Sequence, residues 1–154
     1  MSPNNFKSFK HRENFGLSNE SHYKNEICNY YRDFGELTKS IGKYDIFDFY
    51  NDKLVIELKT RTNTYDKYPT TIIGYNKVEE GFKSIKDGKT VYFLFGFTDG
   101  LYEWELNDSN WDKIGGLNSI SSYYGCKYSK SPIQNVQIPI HLLKKIIDKK
   151  PLEK

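Results

Sequence analysis

Alanine is missing from this chain altogether, and arginine stands only at Arg12, Arg32 and Arg61. Lys, Asn, Ile, Tyr and Phe abound instead. Their codons are AT-rich, so the composition points to an AT-rich genome such as that of a large DNA virus, a phage or an AT-rich bacterium. No stretch approaches the roughly 18 consecutive apolar residues of a membrane span. Residues Met1 to Asn14 lack the apolar segment of a secretory signal. Together these absences predict an intracellular protein with no membrane partner. The two cysteines, Cys28 and Cys126, lack CxxC spacing and are expected to be reduced thiols. His11, His22 and His141 form no pair at metal-ligand spacing, and neither a phosphate-cradling glycine loop nor a nucleophile elbow occurs.

The remaining composition describes one soluble domain. The chain has 154 residues, 37% of them hydrophobic and 16% aromatic, so much of its core must be aromatic rings. A net charge of +3 permits a nucleic-acid partner without requiring one.

Residues 1–17 are polar, basic and aperiodic, which predicts a flexible arm ahead of a single domain over 18–154. Ser18 caps a predicted helix running to about Asp33, with Tyr23, Ile27, Tyr30 and Tyr31 at helical spacing and Gly35 as its stop. A short strand is expected within Gly35–Ile41. The runs Tyr44–Tyr50 and Leu54–Thr60 read as a hairpin. A polar loop, Arg61 to Thr70, leads toward a second helix at Tyr75–Lys86, closed by Asp87-Gly88. Thr90–Phe97 is almost continuously apolar, as in a strand buried on both faces. Leu101–Leu106 alternates like an edge strand, and Pro139 opens a predicted basic helix over Ile140–Lys149. Residues 107–131 resist assignment. Helices alternating with strands predict an α/β protein with a mixed central sheet flanked by helices.

The chemistry concentrates in Ile56-Glu57-Leu58-Lys59. Alternate residues of a strand share a face, so Glu57 and Lys59 project together while Ile56 and Leu58 turn into the core. A second carboxylate must come from the preceding strand, and register selects it. With Asn51-Asp52 as the turn, Tyr50 faces Lys53, and Asp48 faces Val55 on the Glu57 side; Phe47 and Phe49 then join the apolar layer of Leu54, Ile56 and Leu58. With a three-residue turn, Asp45 pairs with Lys59 and Asp48 is buried without a partner, at a cost of several kcal/mol. The first register is favoured, with Asp45 as the alternative acid. Asp48, Glu57 and the Leu58 carbonyl suit a hard divalent cation, Mg2+ or Mn2+, far better than zinc. Such an ion polarises a phosphate and lowers the pKa of bound water, while Lys59 stabilises the developing charge. The competing reading is an exposed hairpin with a surface Glu57–Lys59 pair worth under about 1 kcal/mol.

An acid nine residues before Glu57-Leu58-Lys59, set on a hairpin, resembles the PD-(D/E)xK nuclease superfamily. The order of elements also resembles its restriction-endonuclease-like αβββαβ core, here about residues 18–106. Phe47 stands where the name-giving proline would be. The resemblance implies a metal-dependent nuclease that hydrolyses phosphodiester bonds in DNA, with Asp48, Glu57 and Lys59 as the catalytic set. It further implies that Glu26 of the first helix supports the metal, with Asp45 as another second-tier acid, and that Lys77 touches substrate. The Glu-Leu-Lys-Thr-Arg string adds Arg61 as a phosphate contact, and Lys67 flanks the site. A homodimer is compatible with this class. An RNA endonuclease of the same fold and a non-catalytic nucleic-acid-binding subunit are the alternatives. The tyrosines of residues 65–75 and 123–128 offer rings for base stacking or for the core.

Overall fold

The computed structural model describes residues 23–41, 46–124 and 131–148. Its first described element is a helix, α1, over residues 23–30, which ends in a single tight turn at Arg32–Phe34. Gly35 follows at φ 98°, a left-handed conformation that explains why glycine stops the helix here. Three strands then meander antiparallel: β1 (Thr38–Lys39), β2 (Phe49–Tyr50) and β3 (Leu54–Thr60). β4 (Thr70–Gly74) leads directly into α2 (Tyr75–Lys86). β5 (Thr90–Phe97) runs parallel beside β3, and β6 (Gly100–Leu106) returns antiparallel to it. The chain continues through α3 (Asp108–Lys113), β7 (Ile120–Tyr123), β8 (Ile133–Pro139) and β9 (Lys144–Asp148).

The main sheet has six strands in the order β1-β2-β3-β5-β6-β9, and a second sheet has the order β4-β8-β7. This is the expected mixed α/β architecture with a restriction-endonuclease-like αβββαβ core.

Strand alternation sorts the core into two layers. Leu54, Ile56 and Leu58 of β3 join Phe49, Leu94 and Leu101 against Tyr23, Ile27 and Tyr31 on the α1 side. Val55, Val91, Phe93, Phe95 and Phe97 face the other way, toward Val78 of α2 and toward Ile73, Val136 and Ile138 of the second sheet. β5 is thus covered on both faces, as its apolar run predicts. Gly81 lets α2 lie close: a Cβ there would meet Leu106 Cδ2 at 2.6 Å.

Several expectations are corrected. Within the predicted helix Ile140–Lys149, the described residues 140–148 are not helical: a short turn at Ile140–Leu142 precedes β9, which occupies the sheet edge. β6 is therefore an inner strand. A register shift opposite Leu101 and Tyr102 leaves Ile146 as the extra residue, and both Ile146 and Ile147 pack on the α1-side core. Two adjacent isoleucines mimic a helical stripe; the bulge lets a strand bury both. The "polar loop" ends in β4, and the unassigned region supplies α3, β7 and part of a second sheet.

The hairpin turn also lies elsewhere. Phe49 pairs with Ile56 and Tyr50 with Val55, and Asn51 N–H donates to the Leu54 carbonyl (2.9 Å), so the turn residues are Asp52 and Lys53. The cause is Asn51, whose Oδ1 accepts from the Lys53 and Leu54 amides (2.8 and 2.9 Å). Its Nδ2 donates to the Phe34 and Glu36 carbonyls (3.0 and 3.2 Å), tying the hairpin to the segment after α1.

Candidate active site

The observed register differs from the favoured one by two residues, and an even shift preserves the face of every side chain. Asp48 therefore stays on the Glu57 side; extended one step, the ladder sets the two opposite each other. Regular pairing stops there because the chain bends at residues 46–48. The bend breaks the alternation, so Phe47 packs in the α2-side core while Phe49 packs in the α1-side core, contrary to the expectation that both share one layer.

Where the ladder ends, Asp48 substitutes for it. Its backbone N–H donates to the Ile56 carbonyl (3.0 Å), and its Oδ2 accepts from the Leu58 amide (2.7 Å). The N–H and C=O of one strand residue point to the same edge. The Leu58 carbonyl is thus directed toward Asp48, beyond the last paired residues of β2.

Glu57 is 3% exposed, an unusual burial for a carboxylate. Lys59 Nζ lies 3.1 Å from its Oε1, and Lys77 Nζ lies 3.6 Å from its Oε2. Oε2 nevertheless has no hydrogen-bond partner among the described residues. Burial, and then the nearby Asp48 charge, push the Glu57 pKa above the ordinary glutamate range against the pull of both lysines. Removing a carboxylate from water and leaving one oxygen unbonded is costly unless a further cation completes it.

The remaining expected residues are placed as follows. Lys77 reaches back from α2 across the Phe47 ring (6.0 Å), donates to the Ile46 carbonyl and pairs with Glu57; in this structure it faces the acids instead of solvent. That contact escapes sequence reading because it links residues far apart in the chain. Arg61 continues the face of Glu57 and Lys59, with its guanidinium over the Phe95 ring (5.9 Å) and Nη2 donating to the Ile72 carbonyl (2.6 Å). Burial depresses its pKa. Lys67 is exposed, 5.5 Å from the Tyr68 ring. Glu26 is half-buried on α1 with Oε2 unbonded among the described residues, and it is not among the charges acting on Glu57. Asp45 lies outside the described residues.

The donor set fits a hard divalent cation: two carboxylates on one face, a carbonyl aimed at the same edge, and an unbonded buried oxygen. No cluster of three or more His, Cys, Asp or Glu occurs among the described residues, so a bound ion would need waters and a phosphate oxygen to complete its coordination. A cavity of about 490 Å³ between the hairpin and α2, lined by Phe47, Val55, Glu80 and Lys83, excludes Glu57 and Lys59. No described helix is long and apolar enough to cross a membrane.

The model of a family described as "phage putative PDDEXK endonuclease" matches residues 15–146. No curated protein matches the chain.

Proposed function

Because this chain belongs to that PDDEXK family, we propose that it hydrolyses phosphodiester bonds in DNA with Mg2+ or Mn2+, at Asp48, Glu57 and Lys59. The observation that carries the reading is buried Glu57, held between an acid and two lysines with one oxygen unbonded. A pure binding protein has no use for so costly a group.

Asp48, Glu57 and the Leu58 carbonyl would hold the ion, which when bound supplies a polarised phosphate and an activated water. The Leu58 amide holds Asp48 by donating to its Oδ2. Lys59, 36% exposed at its side chain, has its ammonium at the opening of the site. There it stabilises negative charge building on the phosphate oxygens. Lys77 neutralises Glu57 in the metal-free protein and lies close enough to meet a phosphate once that pairing relaxes. Arg61 and Lys67 bind phosphates on the Lys59 side. Asp45 is the second-tier acid that supports the ion; Glu26, which is not among the charges acting on Glu57, is left without that role. The soluble composition suits an intracellular site of action, and a homodimer would present two such edges to a duplex.

The test is a cleavage assay on duplex, single-stranded, flap and four-way-junction DNA and on RNA, with Mg2+, Mn2+ or chelator. Cleavage that needs the ion and disappears in Lys59→Ala supports the reading. Metal-independent cutting, or full activity in Lys59→Ala, refutes it, and preferential RNA cleavage transfers the same chemistry to the alternative substrate.

A further inference from the structure

Beyond Lys59 the same sheet face opens into a second cavity of about 430 Å³, lined by Arg61, Asn63, Tyr65, Tyr68, Ile72 and Phe97 among others. Its size falls within the roughly 300–1,000 Å³ of small-ligand clefts. The floor is rigid. Tyr65 stacks on Tyr102 (4.2 Å, 2° between planes), and its hydroxyl donates to the Ile140 carbonyl (2.8 Å). Phe97 beneath is 2% exposed. The rim, by contrast, presents apolar surface to water: Tyr68 is 54% exposed and Ile72 42%. The one described ring contact of Tyr68 is the exposed Lys67 ammonium, 5.5 Å from its centre, a flexible group that a stacked base would displace.

At the inner end lies the Arg61 guanidinium. One nitrogen donates to the Ile72 carbonyl and another is 3.5 Å from the Thr60 carbonyl. No described carboxylate pairs with it, although a guanidinium carries five donors. A half-buried cation without an acid, beside exposed aromatic and aliphatic surface, suits a ligand with a flat apolar body and an anionic group. Arg61 is two residues from Lys59 on one strand face, about 7 Å along the chain direction. That is within reach of a nucleotide adjoining the bond to be cut.

We infer that this cavity takes one unstacked nucleobase of the bound strand, stacked against Tyr68 with its phosphate on Arg61. This rests on the nuclease reading for its substrate but on a different part of the molecule for its evidence. It gives the site a polarity, because the strand is gripped on the Arg61 side of Lys59. A face-stacking pocket accepts any base, so it positions the strand without reading sequence.

The test uses a single-stranded thymidine oligonucleotide with one central 2-aminopurine, bound in Ca2+ and followed by fluorescence and anisotropy. Wild-type protein should quench the 2-aminopurine. Tyr68→Ala should lose the quench and bind on the order of tenfold more weakly; Tyr68→Phe should restore both. Lys59→Ala should keep the quench. Tyr68 is exposed, so circular dichroism should show an unchanged fold. Equal quenching by wild type and Tyr68→Ala, or none by either, overturns the inference. A Tyr68-dependent quench in a protein that cleaves none of the duplex, single-stranded, flap, junction or RNA substrates with either metal leaves the pocket standing and sinks the nuclease reading alone.

Discussion

Replacing Lys77 by methionine separates the two roles that Glu57 must play. Methionine keeps a stem of similar length over Phe47 but removes the ammonium 3.6 Å from Glu57 Oε2. At an effective dielectric near 20, such a pair attracts by about 4 kcal/mol. Desolvation of the ammonium, whose side chain is 22% exposed, offsets much of this. The metal-free variant should therefore lose about 1–3 kcal/mol, a melting temperature lower by roughly 3–10 °C for a chain of this size. Metal binding should move the other way. In the wild type an incoming Mn2+ must displace a cation already on Glu57; in Lys77→Met it need not. Calorimetric titration should show Mn2+ bound about tenfold more tightly, equivalent to about 1.4 kcal/mol. Saturating Mn2+ should shrink the melting difference or reverse its sign. Unchanged or weaker Mn2+ affinity, in a variant whose circular dichroism is native, would refute the idea that lysine and metal compete for the same oxygen.

Three further outcomes are expected. Lys59→Ala should lower the cleavage rate about 100- to 1,000-fold while shifting the melting temperature by only a few degrees, since Lys59 bears on charge stabilisation and is half-exposed; wild-type turnover would remove it from the catalytic set. Asp48→Asn retains an acceptor for the Leu58 amide, so it should fold yet lose the calorimetric metal signal, whereas Asp45→Asn should retain it; the reverse pattern would hand the site to Asp45. Glu57 has a raised pKa, so between its unfolded and folded values the native state holds the extra proton, and stability falls as pH rises through that window. Glu57→Gln should consequently melt above the wild type at neutral pH without metal, with the gap closing on acidification through the folded pKa; a gap that widens in acid would contradict the raised pKa.

The parts legible in the sequence were those governed by local pattern. Leu54–Thr60, Tyr75–Lys86 and Thr90–Phe97 carry periodicity strong enough to place whole elements. The parity of the hairpin was also legible, because an odd slip would have turned Asp48 into the core without a partner. The turn itself was not, since it depends on one Asn51 side chain with partners before and after it. Lys144–Asp148 was misread because five residues with adjacent isoleucines fit either period, and only the open edge of β6 decides. The second sheet escaped for a related reason: β4 is completed by β8, whose register partners lie some 65 residues away. At the site, the pairing of Glu57 with Lys59 follows from alternation, while that with Lys77 required the tertiary fold.

Asn51 carries a mechanical consequence. Glu57 sits toward the open end of the hairpin, with a raised pKa. The other end is clamped by an amide that donates to two carbonyls and accepts from two amides, and has no charge to lose. A carboxylate at position 51 would keep the accepting half of that clamp and forfeit the donating half. Titration at Glu57 therefore finds no lever at the turn. The turn is thus held by an uncharged side chain, and a change of charge at Glu57 removes none of its four hydrogen bonds.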